Sequence, residues 1–239
     1  MSLTLKNITL SFDSVVTLDN ISFRVDSGEI VSLIGPSGYG KSTLFSTIGG
    51  LLTPDSGEIF LGDKLINSKR GFVAYMPQDA SLLPWRTVLE NVCLSQELSG
   101  FVDTQYAEKM LALAGLEEHK NHYPKALSGG MKQRVSFIRA LLTNKDILLL
   151  DEPFSALDSF TKESMQEWLL AIYKARKNTL FFITHDIEEA IYLSSKIIIM
   201  SSSGKINHIL KVPLMYPKDR LSDDFWRFKR EIVDLIKQA

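Results

Sequence analysis

The chain has 239 residues, of which 45% are hydrophobic and 23% are charged, and this balance is typical of a folded globular protein rather than a disordered one. Lysine and arginine number 27 against 28 aspartate and glutamate residues, so the formal net charge is -1. This charge excludes the global positive field that gathers nucleic acid or anionic lipid, and no nucleic-acid partner is expected.

A single cysteine, Cys93, cannot form a disulfide within the chain and therefore favours a reducing compartment. The first residues lack a basic segment followed by an apolar one, so we expect no secretory signal. The longest apolar runs, such as residues 147–150 and 197–200, are far shorter than the roughly 20 residues that span a bilayer. A role at a membrane would therefore require another protein as the anchor.

The first third of the chain predicts two kinds of strand. Apolar and polar residues alternate near residues 3–8 and 21–25, as in a partly exposed antiparallel sheet. Residues 29–34 are nearly all apolar and are followed by Gly35, which favours a strand buried on both faces of a parallel sheet. Residues 43–52 then have the apolar spacing of a helix.

The rest of the chain alternates between helical and strand patterns, which favours an α/β fold with a parallel sheet. Helices are predicted at residues 87–98 and 105–113, and strands at 147–150, 179–183 and 197–200. A C-terminal amphipathic helix should pack on the parent domain, and a partner or regulatory surface is the alternative. The predicted organisation is one domain with three parts. They are an α/β core at residues 1–86 and 143–212, a helical subdomain at residues 87–142, and a C-terminal helical extension at residues 213–239.

A glycine-rich segment after the buried strand matches G-x-x-x-x-G-K-[ST] and precedes a helix, which is the context of a phosphate-binding loop. Its backbone N–H groups and the positive end of the helix would bind phosphate oxygens of ATP. Lys41 would neutralise the β- and γ-phosphates, and Ser42 would be an Mg²⁺ ligand. A glycine turn without a ligand is the alternative. The predicted nucleotide-binding residues are Gly35, Pro36, Ser37, Gly38, Tyr39, Gly40, Lys41, Ser42 and Thr43.

Two carboxylates, Asp151 and Glu152, follow the apolar run at residues 147–150. Ligands of an open parallel sheet bind at the carboxyl ends of its strands, so Asp151 should face the same crevice as Lys41 and contribute to the Mg²⁺ site. Glu152 lies on the other side of the pleat, where it could accept a proton from an attacking water. An acidic strand end without a catalytic role is the alternative.

Further motifs follow in an order that resembles the ATP-binding subunits of ABC transporters, and the resemblance covers nearly the whole chain. They are Pro77-Gln78, the signature Leu127-Ser128-Gly129-Gly130 within residues 127–134, the Asp151-Glu152 pair, Ser155-Ala156-Leu157-Asp158 and Thr184-His185-Asp186. The resemblance implies a RecA-like P-loop core with an antiparallel β subdomain and an inserted α-helical subdomain. It also implies ATP hydrolysis with Mg²⁺.

The resemblance implies roles for individual residues. Gln78 would contact Mg²⁺ and the attacking water, and His185 would contact the γ-phosphate and hold Glu152 in place. Phe12 would stack on adenine. A structural histidine and a core phenylalanine are the respective alternatives. A second copy of the chain would place its signature on the same ATP, giving a head-to-tail dimer closed by two ATP molecules, with the residues Ser128, Gly129, Gly130 and Asp158 at or near the interface.

Three features depart from the family pattern. Met131 stands where glutamine is usual, and Tyr39 is bulky for its position in the phosphate loop. This side chain could crowd the face toward the second copy, which puts the turnover rate in doubt more than nucleotide binding. Gly49 and Gly50 fall within the predicted helix, where a glycine costs about 1 kcal/mol relative to alanine.

The segment L-L-P-W-x-x-V after Gln78 resembles that of importers of nitrate, taurine, alkanesulfonates and thiamine precursors. The resemblance implies a small anionic or heterocyclic solute, an indirectly linked solute-binding protein, and a location on the cytoplasmic face of a bacterial membrane. Leu82, Leu83 and Trp85 are candidates for contact with a membrane permease, and burial in the core is the alternative for each. A regulatory ATPase without a permease and an exporter cassette are the rival functions.

Overall fold

The computed structural model describes residues 1–176 and 178–238, which form ten strands and seven α-helices. The strands are β1 (Leu3–Phe12), β2 (Val15–Val25), β3 (Ile30–Ile34), β4 (Ser56–Leu61), β5 (Lys64–Leu65), β6 (Ala74–Met76), β7 (Ile147–Asp151), β8 (Thr179–Ile183), β9 (Lys196–Met200) and β10 (Ile206–Lys211). The helices are α1 (Lys41–Ile48), α2 (Val88–Ser99), α3 (Thr104–Leu113), α4 (Gly129–Leu141), α5 (Ser159–Arg176), α6 (Ile187–Leu193) and α7 (Asp223–Lys237). None of these helices is long and apolar enough to cross a membrane.

The strands form two sheets, as the two apolar patterns of the sequence predicted. A four-stranded antiparallel sheet has the order β2-β1-β4-β5, and a six-stranded sheet has the order β10-β9-β3-β8-β7-β6. In the larger sheet every pairing is parallel except that of β9 with β10. The α/β prediction with a separate antiparallel sheet is therefore confirmed.

The helices of the middle segment begin at residues that satisfy their free N–H groups. Thr87 and Glu90 form a capping box at α2, and Asp103 accepts a hydrogen bond from the Tyr106 N–H at the start of α3. Ser128 caps α4 in the same way, through the N–H of Met131. The predicted starts of α2 and α3 are correct to within one residue, because capping and apolar spacing both favour them.

The two faces of the six-stranded sheet pack against different parts of the chain. Side chains alternate along each strand, so Leu180 and Phe182 lie in the cluster formed with α2, α3 and α4, whereas Phe181 lies in the cluster formed with α1 and the antiparallel sheet. At the far edge, α7 packs its apolar face against α6, as predicted, through Phe225 and Phe228. The sheet therefore holds the helical segment on one side and the antiparallel sheet on the other.

The first helix is shorter than the sequence predicts. It ends at Ile48, and the expectation of a helix up to residue 52 is wrong. Gly50 has a φ of 73°, and a Cβ atom built there would lie 2.5 Å from the carbonyl oxygen of Lys69. Gly49 and Gly50 therefore end the helix and allow the chain to pass close to Lys69, and the predicted cost of glycine within a helix does not arise.

We expect Phe181→Ala to lower the free energy of unfolding by about 3–5 kcal/mol, measured by urea denaturation. The Phe181 ring is fully buried, and its centroid lies 5.5 Å from that of Phe23 on β2 and 4.8 Å from that of Phe45 on α1. Its removal leaves a cavity where both sheets and α1 meet. As a control, Phe160→Ala removes a ring that is 87% exposed and should change stability by about 0.5 kcal/mol or less. Equal losses in the two variants would contradict the central role of Phe181.

Candidate functional site

The loop between β3 and α1 has a backbone path that only glycine allows at its ends. A Cβ atom at Gly35, whose φ is 154°, would lie 2.5 Å from the Met200 carbonyl oxygen. A Cβ atom at Gly40, whose φ is 87°, would lie 2.8 Å from the Thr17 carbonyl oxygen. Thr17 also packs closely against Gly204, which has a φ of 71° and leaves no room for a Cβ atom. The antiparallel sheet, through Thr17 on β2, therefore packs closely against the loop at Gly40.

The loop has the features of an anion site. The α1 helix follows Gly40, which provides no side-chain cap, and has no acidic residue in its first turn, so its N–H groups are available to a ligand. The Lys41 Nζ donates to the carbonyl oxygens of Gly35 and Pro36 at 2.8 and 2.7 Å, which keeps the ammonium inside the loop. Burial lowers the pKa of Lys41, and the carboxylates of Glu152 and Asp151 oppose this shift.

Asp151 lies at the end of β7 and is 2% exposed. Burial raises its pKa, while a hydrogen bond with Ser42 and the charge of Lys41 act in the opposite direction. Its buried Oδ1 has no hydrogen-bond partner among the described residues. An unpartnered carboxylate oxygen beside a hydroxyl fits a divalent cation, because Mg²⁺ prefers oxygen ligands. Ser42 and Asp151, two of the three residues predicted to hold Mg²⁺, therefore lie side by side at this end of the loop.

Glu152 is the meeting point of two other predicted catalytic side chains. Its Oε2 accepts a hydrogen bond from the Gln78 Nε2 at 3.2 Å and lies 3.5 Å from the His185 Nδ1. Glu152 and Gln78 line a cleft of about 300 Å³ together with the loop residues Ser37, Gly38, Gly40, Lys41, Ser42 and Thr43, and with Thr17. Thr17 was not predicted from the sequence, because no motif surrounds it and only the packing of β2 against the loop reveals it.

The backbone of Glu152 is held in an uncommon conformation. Its φ is 50°, which is rare for a residue with a side chain and is stabilised here by surrounding contacts. The Glu152 N–H donates to the Ile183 carbonyl oxygen at 3.1 Å, and its carbonyl oxygen accepts from the Gln133 Nε2 at 2.7 Å. These bonds fix the turn that directs the carboxylate into the cleft.

Gln133 is a second residue whose role was not predicted from the sequence. It is 3% exposed and joins α4 to the loop after β7, through Glu152, the Ser155 hydroxyl at 3.2 Å and the Ala156 N–H at 2.9 Å. Gly130 supports this contact, since a Cβ atom there would lie 3.0 Å from the Ala156 carbonyl oxygen. Gln133 lies within the signature segment 127–134, but only the structure shows that its side-chain amide is buried and bonded to the loop after β7.

The signature residues do not line the cleft of their own chain. Ser128 and Gly129 are exposed at the start of α4, and the Ser128 hydroxyl accepts from the Met131 N–H at 3.3 Å. Asp158 is also exposed and caps the start of α5 through the Thr161 N–H at 3.1 Å. Hydrogen bonds with Thr161 lower the pKa of Asp158, so it is a carboxylate at neutral pH. Ser128, Gly129 and Asp158 are therefore exposed, and Gly130 is partly exposed, outside the lining of the cleft.

Phe12 is 45% exposed at the end of β1, so the alternative of a core phenylalanine is wrong. The ring is therefore accessible to a planar ligand, although it does not line the described cleft. Tyr39 is half-buried in the phosphate loop.

The three predicted permease contacts differ in their surroundings. Leu82 packs on the cluster that includes α2 and α4, and the backbone of Leu83 bonds to the buried Asn91 side chain in both directions. Trp85 is 71% exposed. Next to it, Arg86 forms an ion pair of 2.6 Å with Glu97 on α2. The alternative of burial therefore holds in part for Leu82, whereas Trp85 presents an apolar surface to solvent.

Known proteins are similar to this chain over most of its length. The sequence profile described as "ABC transporter" matches residues 18–155. An uncharacterised ABC transporter ATP-binding protein of Methanocaldococcus jannaschii is 38% identical over 245 residues, which cover 99% of this chain and 92% of the relative. The aliphatic sulfonates import ATP-binding protein SsuB of Bacillus cereus is 42% identical over 230 residues, which cover 95% of this chain and 90% of the relative.

Solved structures agree with the sequence comparisons. The ATP-binding cassette MJ0796, solved as a dimer in a post-hydrolysis state with ADP and Pi, superposes with a TM-score of 0.82 and 33% identity. The alignment covers 89% of this chain and all of that one. The cleft, the order of the motifs and these matches lead to one conclusion: the chain belongs to the ABC transporter family, as one of its ATP-binding and ATP-hydrolysing subunits.

Proposed function

We propose that Glu152 is the general base of ATP hydrolysis, and that Gln78 and His185 orient it toward the attacking water. The observation that carries this assignment is the convergence of both side chains on the Oε2 of Glu152, a residue that lines the cleft. A base must be positioned within hydrogen-bond reach of the proton that it accepts. The strained backbone of Glu152 supports the same role, because such conformations concentrate at functional sites.

The phosphate loop would hold the triphosphate of ATP through its N–H groups and Lys41. Ser42, Asp151 and Gln78 would provide oxygen ligands for Mg²⁺, which supplies positive charge that neutralises the phosphates when bound. The unpartnered Oδ1 of Asp151 supports this site. Phe12, exposed at the end of β1, would stack on the adenine ring.

A second copy of the chain would complete the site. Ser128, Gly129 and Gly130 lie at the exposed N-terminus of a 13-residue helix, where N–H groups and the helix dipole favour an anion, and they do not line their own cleft. They would bind the γ-phosphate held by the partner copy, with Asp158 at the interface. The dimeric state of the ATP-binding cassette MJ0796 supports this arrangement.

ATP binding would close the dimer and move a membrane permease, and hydrolysis would reset it. The relative named for the import of aliphatic sulfonates supports an importer for a small anionic or heterocyclic solute. A solute-binding protein would deliver that solute to the permease, and this chain would act on the cytoplasmic face of a bacterial membrane. Of the three candidate contacts, Trp85 is the one whose exposure supports a direct role, with Leu82 and Leu83 positioning it.

We expect Glu152→Gln to lower the ATPase kcat by a factor of about 10²–10⁴, because the amide cannot accept the proton. ATP affinity should stay within a few-fold, because the phosphate loop and Asp151 are unchanged. Light scattering with Mg²⁺ and ATP should detect a trapped dimer.

The matched control for this variant is Glu118→Gln, which changes an exposed glutamate that belongs to none of the motifs and should retain full activity. Unchanged hydrolysis in the Glu152→Gln variant would refute the assignment of the base.

We also expect Trp85→Ala to keep the basal ATPase activity and to weaken binding to the permease. Exposed tryptophans at interface centres contribute about 2 kcal/mol or more, which is roughly a 30-fold loss in affinity. The measurement is titration of the chain onto permease reconstituted in nanodiscs. Trp226→Ala is the control, because Trp226 is 43% exposed on α7. Equal affinity of both variants for the permease would remove Trp85 from the interface.

A further inference from the structure

A charged network lies directly beside His185. The Lys162 Nζ is 2.7 Å from the Asp186 Oδ2 and 2.5 Å from the Glu189 Oε1. Glu189 is 5% exposed, and its other carboxylate oxygen accepts a hydrogen bond from the Thr184 hydroxyl at 2.5 Å. Both chain neighbours of His185 are therefore linked to Lys162, one directly and one through a buried carboxylate.

The same short loop is further fixed by its own backbone. The Asp186 N–H donates to the Thr184 hydroxyl oxygen at 3.0 Å. The Asp186 Oδ1 accepts from the N–H groups of Glu188 and Glu189 at 2.9 and 3.3 Å, which caps α6. The Asp186 carboxylate thus connects the start of α6 with Lys162. The side chain of the preceding residue, His185, remains 63% exposed.

Lys162 is also bonded to the loop that carries Asp158. It lies in the first turn of α5, where its N–H donates to the Asp158 carbonyl oxygen at 2.8 Å. Gln133 holds the beginning of that loop at Ala156. A continuous set of contacts therefore runs from the signature helix, through residues 155–158, to the residues on both sides of His185.

The network is charged in the folded chain. Burial alone would lower the pKa of Lys162, but its hydrogen bonds and charge interactions with Asp186 and Glu189 outweigh that effect and raise it. Burial alone would raise the pKa of Asp186, but Lys162 and two backbone N–H groups lower it. An ammonium shared by two carboxylates in a partly buried site is a directional constraint on the segment that bears them.

We propose that Lys162 is a positioning residue, which holds residues 184–186 so that the His185 imidazole faces Glu152 and which ties this placement to the Asp158 loop. The inference rests on the proposed role of His185. Lys162 is not a catalytic residue, since its contacts are with Asp186 and Glu189 rather than with the cleft. A displacement of about 1 Å in a catalytic group can reduce the rate a hundredfold.

The test is steady-state ATP hydrolysis by the full chain with Mg²⁺. We expect Lys162→Met to lower kcat by about tenfold to a hundredfold and to leave the KM for ATP within about twofold, because the phosphate loop is untouched. Lys162→Arg should restore at least half of the activity. Binding of a fluorescent ATP analogue and the unfolding midpoint report whether each variant is folded.

The matched control is Lys229→Met. Lys229 on α7 forms an ion pair of 2.5 Å with Glu188, so this variant also removes a lysine that ties α6 to another helix. It does not alter a contact to Thr184 or Asp186, and its kcat should equal that of the unaltered chain. If Lys162→Met does not fold, Lys162→Met with Glu189→Gln removes the unpaired buried charge and is assayed instead. An equal loss in the Lys229 and Lys162 variants would overturn the proposal, because any tie to α6 would then suffice.

A double variant separates the proposal from the role of His185. If Lys162 acts through His185, Lys162→Met in the His185→Ala background should lower kcat by less than about twofold further. A full additional loss in that background would refute the positioning role. Full activity of His185→Ala alone would refute both this proposal and the role of the histidine. A strongly reduced but measurable kcat of His185→Ala, together with a fully active Lys162→Met, would refute the proposal alone.

Discussion

The structure depends on the parallel hydrogen-bonding of β3, β8, β7 and β6, which brings four chain segments to one edge of the sheet. The phosphate loop, His185, Glu152 and Gln78 each follow one of these strands. They are separated by up to 150 positions along the chain, yet the ladder fixes their order and spacing. The remaining elements act on this edge from outside, since α4 and the antiparallel sheet hold the loops in place.

The parts of the site whose chemistry is local can be predicted from the sequence. Gly35, Lys41 and Asp151 stand in motifs that follow apolar strands, and the parallel order of strands then places them together. Contacts that join distant segments cannot be predicted in this way. No motif indicates the roles of Thr17 and Gln133. Only the packing shows that Thr17 supports the phosphate loop and that Gln133 supports the turn at Glu152.

The shorter α1 illustrates the same limit. Apolar spacing alone favours a helix beyond residue 48, and the close approach of Lys69 to Gly50 is invisible in a single sequence. Exposure is equally hard to predict, because Leu82 and Trp85 are both large and largely apolar, yet Leu82 packs on the core and Trp85 faces solvent. The sequence shows that a residue is apolar, but whether other residues cover it depends on the tertiary fold.

The contact of Thr17 with both Gly40 and Gly204 has a thermodynamic consequence for the antiparallel sheet. Any tilt of that sheet relative to the parallel core would change the contact of Thr17 with the phosphate loop at Gly40. The tilt of the sheet and the conformation of the loop are therefore energetically coupled. By reciprocal linkage, a ligand that stabilises the present conformation of the phosphate loop must also stabilise the present tilt of the sheet, by the same free energy. Occupancy of the cleft should accordingly slow amide hydrogen exchange in β2, even at positions that no ligand touches.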